Sequence, residues 1–133
     1  MQTSSPTFSP ITSPITEMPP IVVDHALAAL NDDLQLFKTI TKMVLRQIED
    51  DMADIRGHVA THSSTALSAS SHRLKGSLGT IVAAPAHQAC STLNRLARSA
   101  SIDSYASGLA QLEQEIARLR SFLRDWLATN ALT

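Results

Sequence analysis

The chain has 133 residues, its 11 Lys and Arg are balanced by 12 Asp and Glu, and its net charge is −1. That length suits one domain with a real core and is short for two of ordinary size. The even charge balance, without a basic run, argues against nucleic-acid binding, and no apolar stretch approaches the ~20 residues that cross a bilayer.

Residues 1–20 hold five of the six prolines (Pro6, Pro10, Pro14, Pro19 and Pro20) and eight Ser or Thr residues, a mixture that cannot support a packed core. They are expected to form a mobile tail, or a linker to preceding modules, ahead of a folded domain over residues 21–132. The N-terminus lacks the basic start and apolar block of a secretory signal. A single cysteine, Cys90, makes no internal disulfide and reads as a small buried residue. A cytoplasmic location is therefore expected.

Beyond Pro20 the only proline is Pro85, glycine is scarce, and strand-type alternation is absent, so the domain is expected to be all-α. Asp24 is placed to cap a short first helix over roughly 24–30. Asn31 or Asp32 then starts a long second helix in which Leu34, Phe37, Val44, Ile48, Ile55 and Val59 recur at helical spacing. Ser63 or Ser64 caps a third helix. Ala84-Pro85 breaks it, with Pro85 in the first turn of a fourth that turns Ala86, Ala89, Cys90, Leu93 and Leu96 inward. Ser101 or Asp103 caps the last helix, where Leu109, Leu112, Ile116, Leu119, Leu123 and Trp126 keep 3-4 spacing. Trp126 and Phe122 are expected to close the bundle. Four long stripes with short connections predict an antiparallel four-helix bundle with a short additional N-terminal helix.

The third helix carries the chemistry. At ~100° per residue Leu67, Leu74, Leu78 and Ile81 form its core stripe, and His72 lies about 140° away. Thr65, Ser68, Ala69, Gly76, Gly79 and Ala83 are its neighbours on that geometry. Histidine in water titrates near neutrality, so its neutral ring offers a nucleophilic nitrogen without an activating triad. Lys75, three residues on, would offset the charge of a phosphoryl group on that ring. Gly76 and Gly79 each cost a helix about 1 kcal/mol relative to Ala, yet both fall on the histidine's side.

The run His72-Arg73-Leu74-Lys75-Gly76-Ser77 resembles the phosphorylation motif of histidine-containing phosphotransfer (HPt) domains. Residues Ala26 to Phe37 are similar to that family's opening helix and turn, and the resemblance continues to Leu132. It implies that His72 accepts a phosphoryl group from a receiver-domain aspartate and passes it to another, within a phosphorelay. Lys75 would support the phosphoryl group, and Gly76 would leave room for the partner. Gly79, Ser68, Ala69 and Thr65 would complete the docking surface. The implied partners are receiver domains of response regulators or of a hybrid sensor histidine kinase. No cofactor is expected on this chain, Mg²⁺ being expected on the partner receiver. The implied protein is a monomeric phosphocarrier without ATP-dependent kinase activity, and no Gly-rich phosphate loop is present. One position departs from the pattern: many members carry glycine two residues before the position of Ala84, where this chain has Val82. Gly79 is expected to open the surface instead.

Two other classes fit a helical bundle. A scaffold that regulates a signalling partner by binding alone would be indifferent to His72→Gln. The dimeric histidine domain of a sensor kinase usually follows its histidine with an acidic residue and a nearby proline, whereas here Arg73 follows and the next proline is Pro85. His58 and His62 stand four apart, a spacing that brings two imidazoles to one metal, but no third ligand accompanies them. None of Glu17, Glu49, Glu113 and Glu115 begins a Glu-x-x-His motif, so a bundle carboxylate-metal site is not expected. His25 and His87 have no companion motif and read as surface or cap-region residues.

Overall fold

A computed structural model describes residues 18–131. Residues 1–17 of the expected tail, and the last two residues of the chain, lie outside them. The helices are α1 (Val23–Ala29), α2 (Leu34–Ala60), α3 (Ser64–Thr80), α4 (Ala84–Arg98) and α5 (Tyr105–Thr129), with a 3₁₀ turn at Ile102–Ser104. No strand occurs among the described residues. Helix α3 packs on α2 and α4, and α5 packs on the same two, so the four long helices close a ring. The short α1 lies against α2.

The directions follow from cross-links. Lys38 Nζ donates to the Asn130 carbonyl at 2.6 Å, Arg120 pairs with Glu49 at 2.8 Å, and Arg56 grips Glu113 through two bonds of 2.7 and 2.8 Å. Rising numbers on α2 meet falling numbers on α5, so the two are antiparallel. Lys38 also places a cation on the carbonyl end of α5, where the helix dipole is negative.

The apolar stripes meet in one core. Phe37, Ile48, Ile55, Leu67, Leu74, Leu78, Leu93, Leu112, Leu119 and Leu123 are fully buried. Burying a leucine or phenylalanine fully contributes about 2 kcal/mol, so this core outweighs any surface pair. At its closed end Trp126 meets Phe37 edge to face, with ring centroids 5.1 Å apart. Leu34, Val59, Leu96 and Leu109 of the expected stripes reach only its margin.

Each of the first four α-helices ends in the same way. The residue after the C-cap adopts a left-handed conformation: Asn31 at φ 56°, His62 at 54°, Val82 at 55° and Ala100 at 52°. The next amide then bonds back to the helix, as Asp32 N does to Leu27 O (2.7 Å), Ser63 N to His58 O (2.9 Å), Ala83 N to Leu78 O (3.0 Å) and Ser101 N to Leu96 O (2.9 Å). These are Schellman closures, and all four are made without glycine.

Several expected caps move. Asp33, not Asn31 or Asp32, caps α2, its carboxylate accepting from Leu36 N at 3.0 Å, because Asn31 and Asp32 are used in the left-handed turn. Asp24 lies inside the first turn of α1, and Val22 holds the cap position. Ser63 is at the N-cap of α3 but makes no side-chain cap bond, and its hydroxyl meets Thr61 Oγ1 instead. The 3₁₀ turn uses Ser101 and Asp103, which leaves Ser104 at the start of α5. Pro85 sits in the first turn of α4, as the break at Ala84-Pro85 predicts.

Candidate functional site

Helix α3 is held on two sides and left open on a third. Toward α4 the contact is polar and close. Ser70 and Ser71 are buried, and Ser71 Oγ donates to Leu67 O at 2.8 Å. Asn94 Nδ2 of α4 donates to Ser68 O at 2.9 Å and to Ser71 Oγ at 3.0 Å, and Cys90 Sγ donates to Ser71 O at 3.1 Å. Small side chains let the helices approach, and the buried amide and hydroxyl satisfy each other there. Burial pushes the Cys90 thiol up to about 12, so it is protonated and inert at neutral pH. At the end of the bundle where α3 begins, Ser64 Oγ and Tyr105 OH lie 2.7 Å apart and tie α3 to α5.

Toward α2 the contact is ionic. Arg73 Nε donates to Asp51 at 2.9 Å and its NH2 to Asp54 at 3.0 Å. The Asp51 carboxylate is fully buried and also accepts from Gln47 at 3.1 Å. The hydrogen bond from Arg73 to Asp51 raises the guanidinium above its ordinary value. Arg73 is the neighbour of His72 in sequence, but its charge is spent on α2.

The third side carries His72, which is exposed in the middle of α3. An open groove of about 610 Å³ begins at His72 and runs along Ala69, Ser68 and Thr65 toward Ala97 and Arg98 at the end of α4. One turn on from His72, Lys75 is half-buried and makes no ion pair with any described residue. Gly76 is exposed, and a Cβ added there would meet nothing within 4 Å. All the small residues expected beside His72 on α3, namely Thr65, Ser68, Ala69, Gly76 and Gly79, are exposed or half-buried along this side.

Two details differ from the helical projection. Ala83 is buried, because α3 ends at Thr80 and the left-handed turn at Val82 swings Ala83 inward as the N-cap of α4. Gly79 does not simply open the surface, because the His87 ring lies beside it, with Cδ2 3.8 Å from where a Cβ would stand. Burial, and secondarily the charge of Lys75, lower the His87 imidazole below its ordinary value. Val82 is a β-branched residue in a left-handed conformation, 38% exposed at the same corner. Such a backbone costs about 1–2 kcal/mol in any residue but glycine, and this is where the family resemblance expects one.

No group of three or more His, Cys, Asp or Glu side chains that would hold a metal occurs among the described residues. His58 lies in the last turn of α2, and His62 is committed to the turn that follows. Arg73, His87 and Arg98 complete the surroundings of the site; Arg73 lies within the motif without an assigned role, and His87 and Arg98 lie outside it. Their positions depend on the register between α3 and its neighbours, which no single-helix pattern encodes.

What this arrangement offers is an exposed imidazole on a helix, bare backbone one turn away and, beside it, an ammonium that pairs with no described carboxylate. The family model described as Hpt domain matches residues 39–122, well over half of the chain. Among solved structures, histidine-containing phosphotransfer protein B from Pseudomonas aeruginosa is similar at a TM-score of 0.74 and 19% identity, over 81% of this chain and 94% of that one. That likeness shows the shared helical fold. A comparison with curated proteins finds no match. On the match of the family model and the agreement of fold, the chain belongs to the Hpt domain family, the histidine phosphotransfer modules of phosphorelays.

Proposed function

We propose that His72 is the phosphoacceptor of this chain. Its unprotonated ring nitrogen attacks the phosphorus of a receiver domain's aspartyl phosphate. A nitrogen–phosphorus bond forms as the phosphorus–oxygen bond to the aspartate breaks, and the carboxylate leaves with the bonding electrons. The reverse step delivers the phosphoryl group to an aspartate of a second receiver. Catalysis of this kind asks for in-line positioning and charge neutralisation. Lys75 offsets the phosphoryl charge, and Gly76 leaves the receiver's backbone room to approach. Thr65, Ser68, Ala69 and Gly79 extend the docking surface. Mg²⁺ belongs to the receiver, and the chain is a carrier without ATP-dependent kinase activity. It works as a monomer in the cytoplasm; no helix of the described residues is long and apolar enough to cross a membrane.

The observation that carries this reading is an exposed His72 one turn from an unobstructed Gly76, in a chain of the Hpt family. A bundle that regulates by binding alone is not favoured by the family match. The test mixes the purified chain with phosphorylated receiver domains and follows acid-labile, base-stable label. Wild type is labelled rapidly, His72→Gln is not labelled, and Lys75→Ala is labelled strongly slowed. Label that persists on His72→Gln removes the assignment.

A further inference from the structure

The groove that starts at His72 has a direction and a charge. It runs away from Lys75 toward the start of α3, floored by Thr65, Ser68 and Ala69, with Ala97 and Ala100 on the far wall. Among the described residues, Arg98 is the only ionisable one along it besides His72 itself. Arg98 is exposed and makes no ion pair with any described residue. Lack of a partner is not diagnostic alone, since Arg46 and Arg124 also pair with no described residue. What distinguishes Arg98 is its place in a concave surface continuous with the imidazole. Among the described residues, His72 is thus bracketed by two cations without an ion pair, Lys75 on one side and Arg98 on the other, and no carboxylate lines the groove.

We propose that this groove receives an acidic side chain of the phosphodonor receiver, with Arg98 as its counter-charge, so that Arg98 is a specificity-determining residue of the docking surface. The inference rests on the reading that His72 exchanges phosphoryl groups with receiver domains. The charge argument is direct. A receiver that presents an aspartyl phosphate, and holds a hard divalent cation beside it, must surround that point with oxygen donors, chiefly carboxylates. Where such a receiver carries an acidic side chain beyond the cation's own ligands, a groove that holds a cation and no carboxylate among its described lining residues complements it. The small side chains of the groove leave room for an Asp or Glu side chain with its flanking backbone. A cation in the last turn of α4 also faces the negative end of the helix dipole, which is a purely structural role for Arg98. The two roles separate experimentally, because a dipole contact changes stability and a docking contact changes encounter.

The experiment uses the full chain with receiver domains carrying labelled aspartyl phosphate, and measures transfer to His72 over a range of receiver concentration and salt. Arg98→Ala is expected to lower kcat/KM by ~10-fold and Arg98→Glu by more, while the rate at saturating receiver stays within about 2-fold and the salt dependence becomes shallower. A receiver whose groove-facing carboxylate is reversed to Lys should regain transfer with Arg98→Glu. Wild-type kcat/KM and salt dependence in both Arg98 variants, with His72→Gln still unlabelled, would overturn the groove assignment and leave the phosphosite standing. Labelling of His72→Gln would instead remove the reading beneath it. A wild-type dimer that dissociates on Arg98→Glu would also overturn the proposal, since the groove would then be taken by a second copy of the chain.

Discussion

The two flanks of helix α3 that meet neighbouring helices differ from the flank that carries His72 in how they use polar groups. On the flanks, polar chemistry is closed: Asn94 meets Ser71, and Arg73 is spent on Asp51 and Asp54. Around His72 it is open, with Lys75 and Arg98 unpaired among the described residues and a Cβ at Gly76 meeting nothing within 4 Å. Arg56, Arg118 and Arg120 on the α2–α5 side are likewise each matched to a carboxylate, while Arg46 and Arg124 of the same helices pair with no described residue. The lesson is that burial and pairing fix the helix so that unpaired groups can be presented at a defined place.

The sharpest way to break that comparison is to fill the open flank. Gly76→Trp should lower phosphoryl transfer from a receiver by more than ~100-fold, because a docking partner must pass within backbone distance of that point. Gly76→Ala should raise stability by about 1 kcal/mol, since the site has room for a methyl group and alanine is the better helix former. Thermal melts and transfer rates on the two variants check both; a Gly76→Trp protein that folds and transfers normally would place docking elsewhere. Next in size is a closed flank opened. Arg73→Ala leaves the buried Asp51 carboxylate with Gln47 alone, and denaturant unfolding should show a loss of about 2–3 kcal/mol. That figure sits at the low end for a broken buried pair because the guanidinium is half exposed.

The smallest effect sits at the boundary of the two regions. The folded state holds the His87 imidazole below its ordinary value, so between that lowered value and about pH 6.5 the unfolded chain binds more protons than the folded one. Stability therefore falls as pH drops below about 6.5, and is fully present above it. His87→Gln should flatten that part of the stability profile and leave it unchanged above neutrality, as read from melts at pH 5.5, 6.5 and 7.5. An equal slope in both proteins would mean that His87 is solvated in the folded state.

The apolar half of the fold was legible in the sequence. Spacing alone assigns Leu67, Leu74 and Leu78 to the core and sets His72 against them, and Pro85 marks the start of α4. The polar interior was not. Asp51, Ser71, Asn94 and Glu115 belong to none of the apolar stripes, yet each is buried, because what satisfies or surrounds it comes from contacts that helical phase does not describe. The connections were hidden for a different reason. Glycine is the usual sign of a left-handed helix end, and here Asn31, His62, Val82 and Ala100 do that work. Ala83 was misplaced for the same cause, since projecting α3 onward through Val82 puts on the outside a residue that the turn folds in. At the candidate site, the motif singles out His72, Lys75 and Gly76, while Arg98 and His87 are brought beside them only through the register of α3 on α4.

The seam of Ser71, Asn94 and Cys90 bears on how information can travel. If α3 slid by a turn along α4, the Asn94 amide would lose both acceptors inside the bundle, so loading the imidazole has no inexpensive way to shift the helix beneath it. Under the proposed phosphotransfer, the loaded and unloaded carrier are then expected to share one backbone. A protein that must tell them apart has to touch the phosphorus-bearing group itself, and the message moves as chemistry rather than as shape.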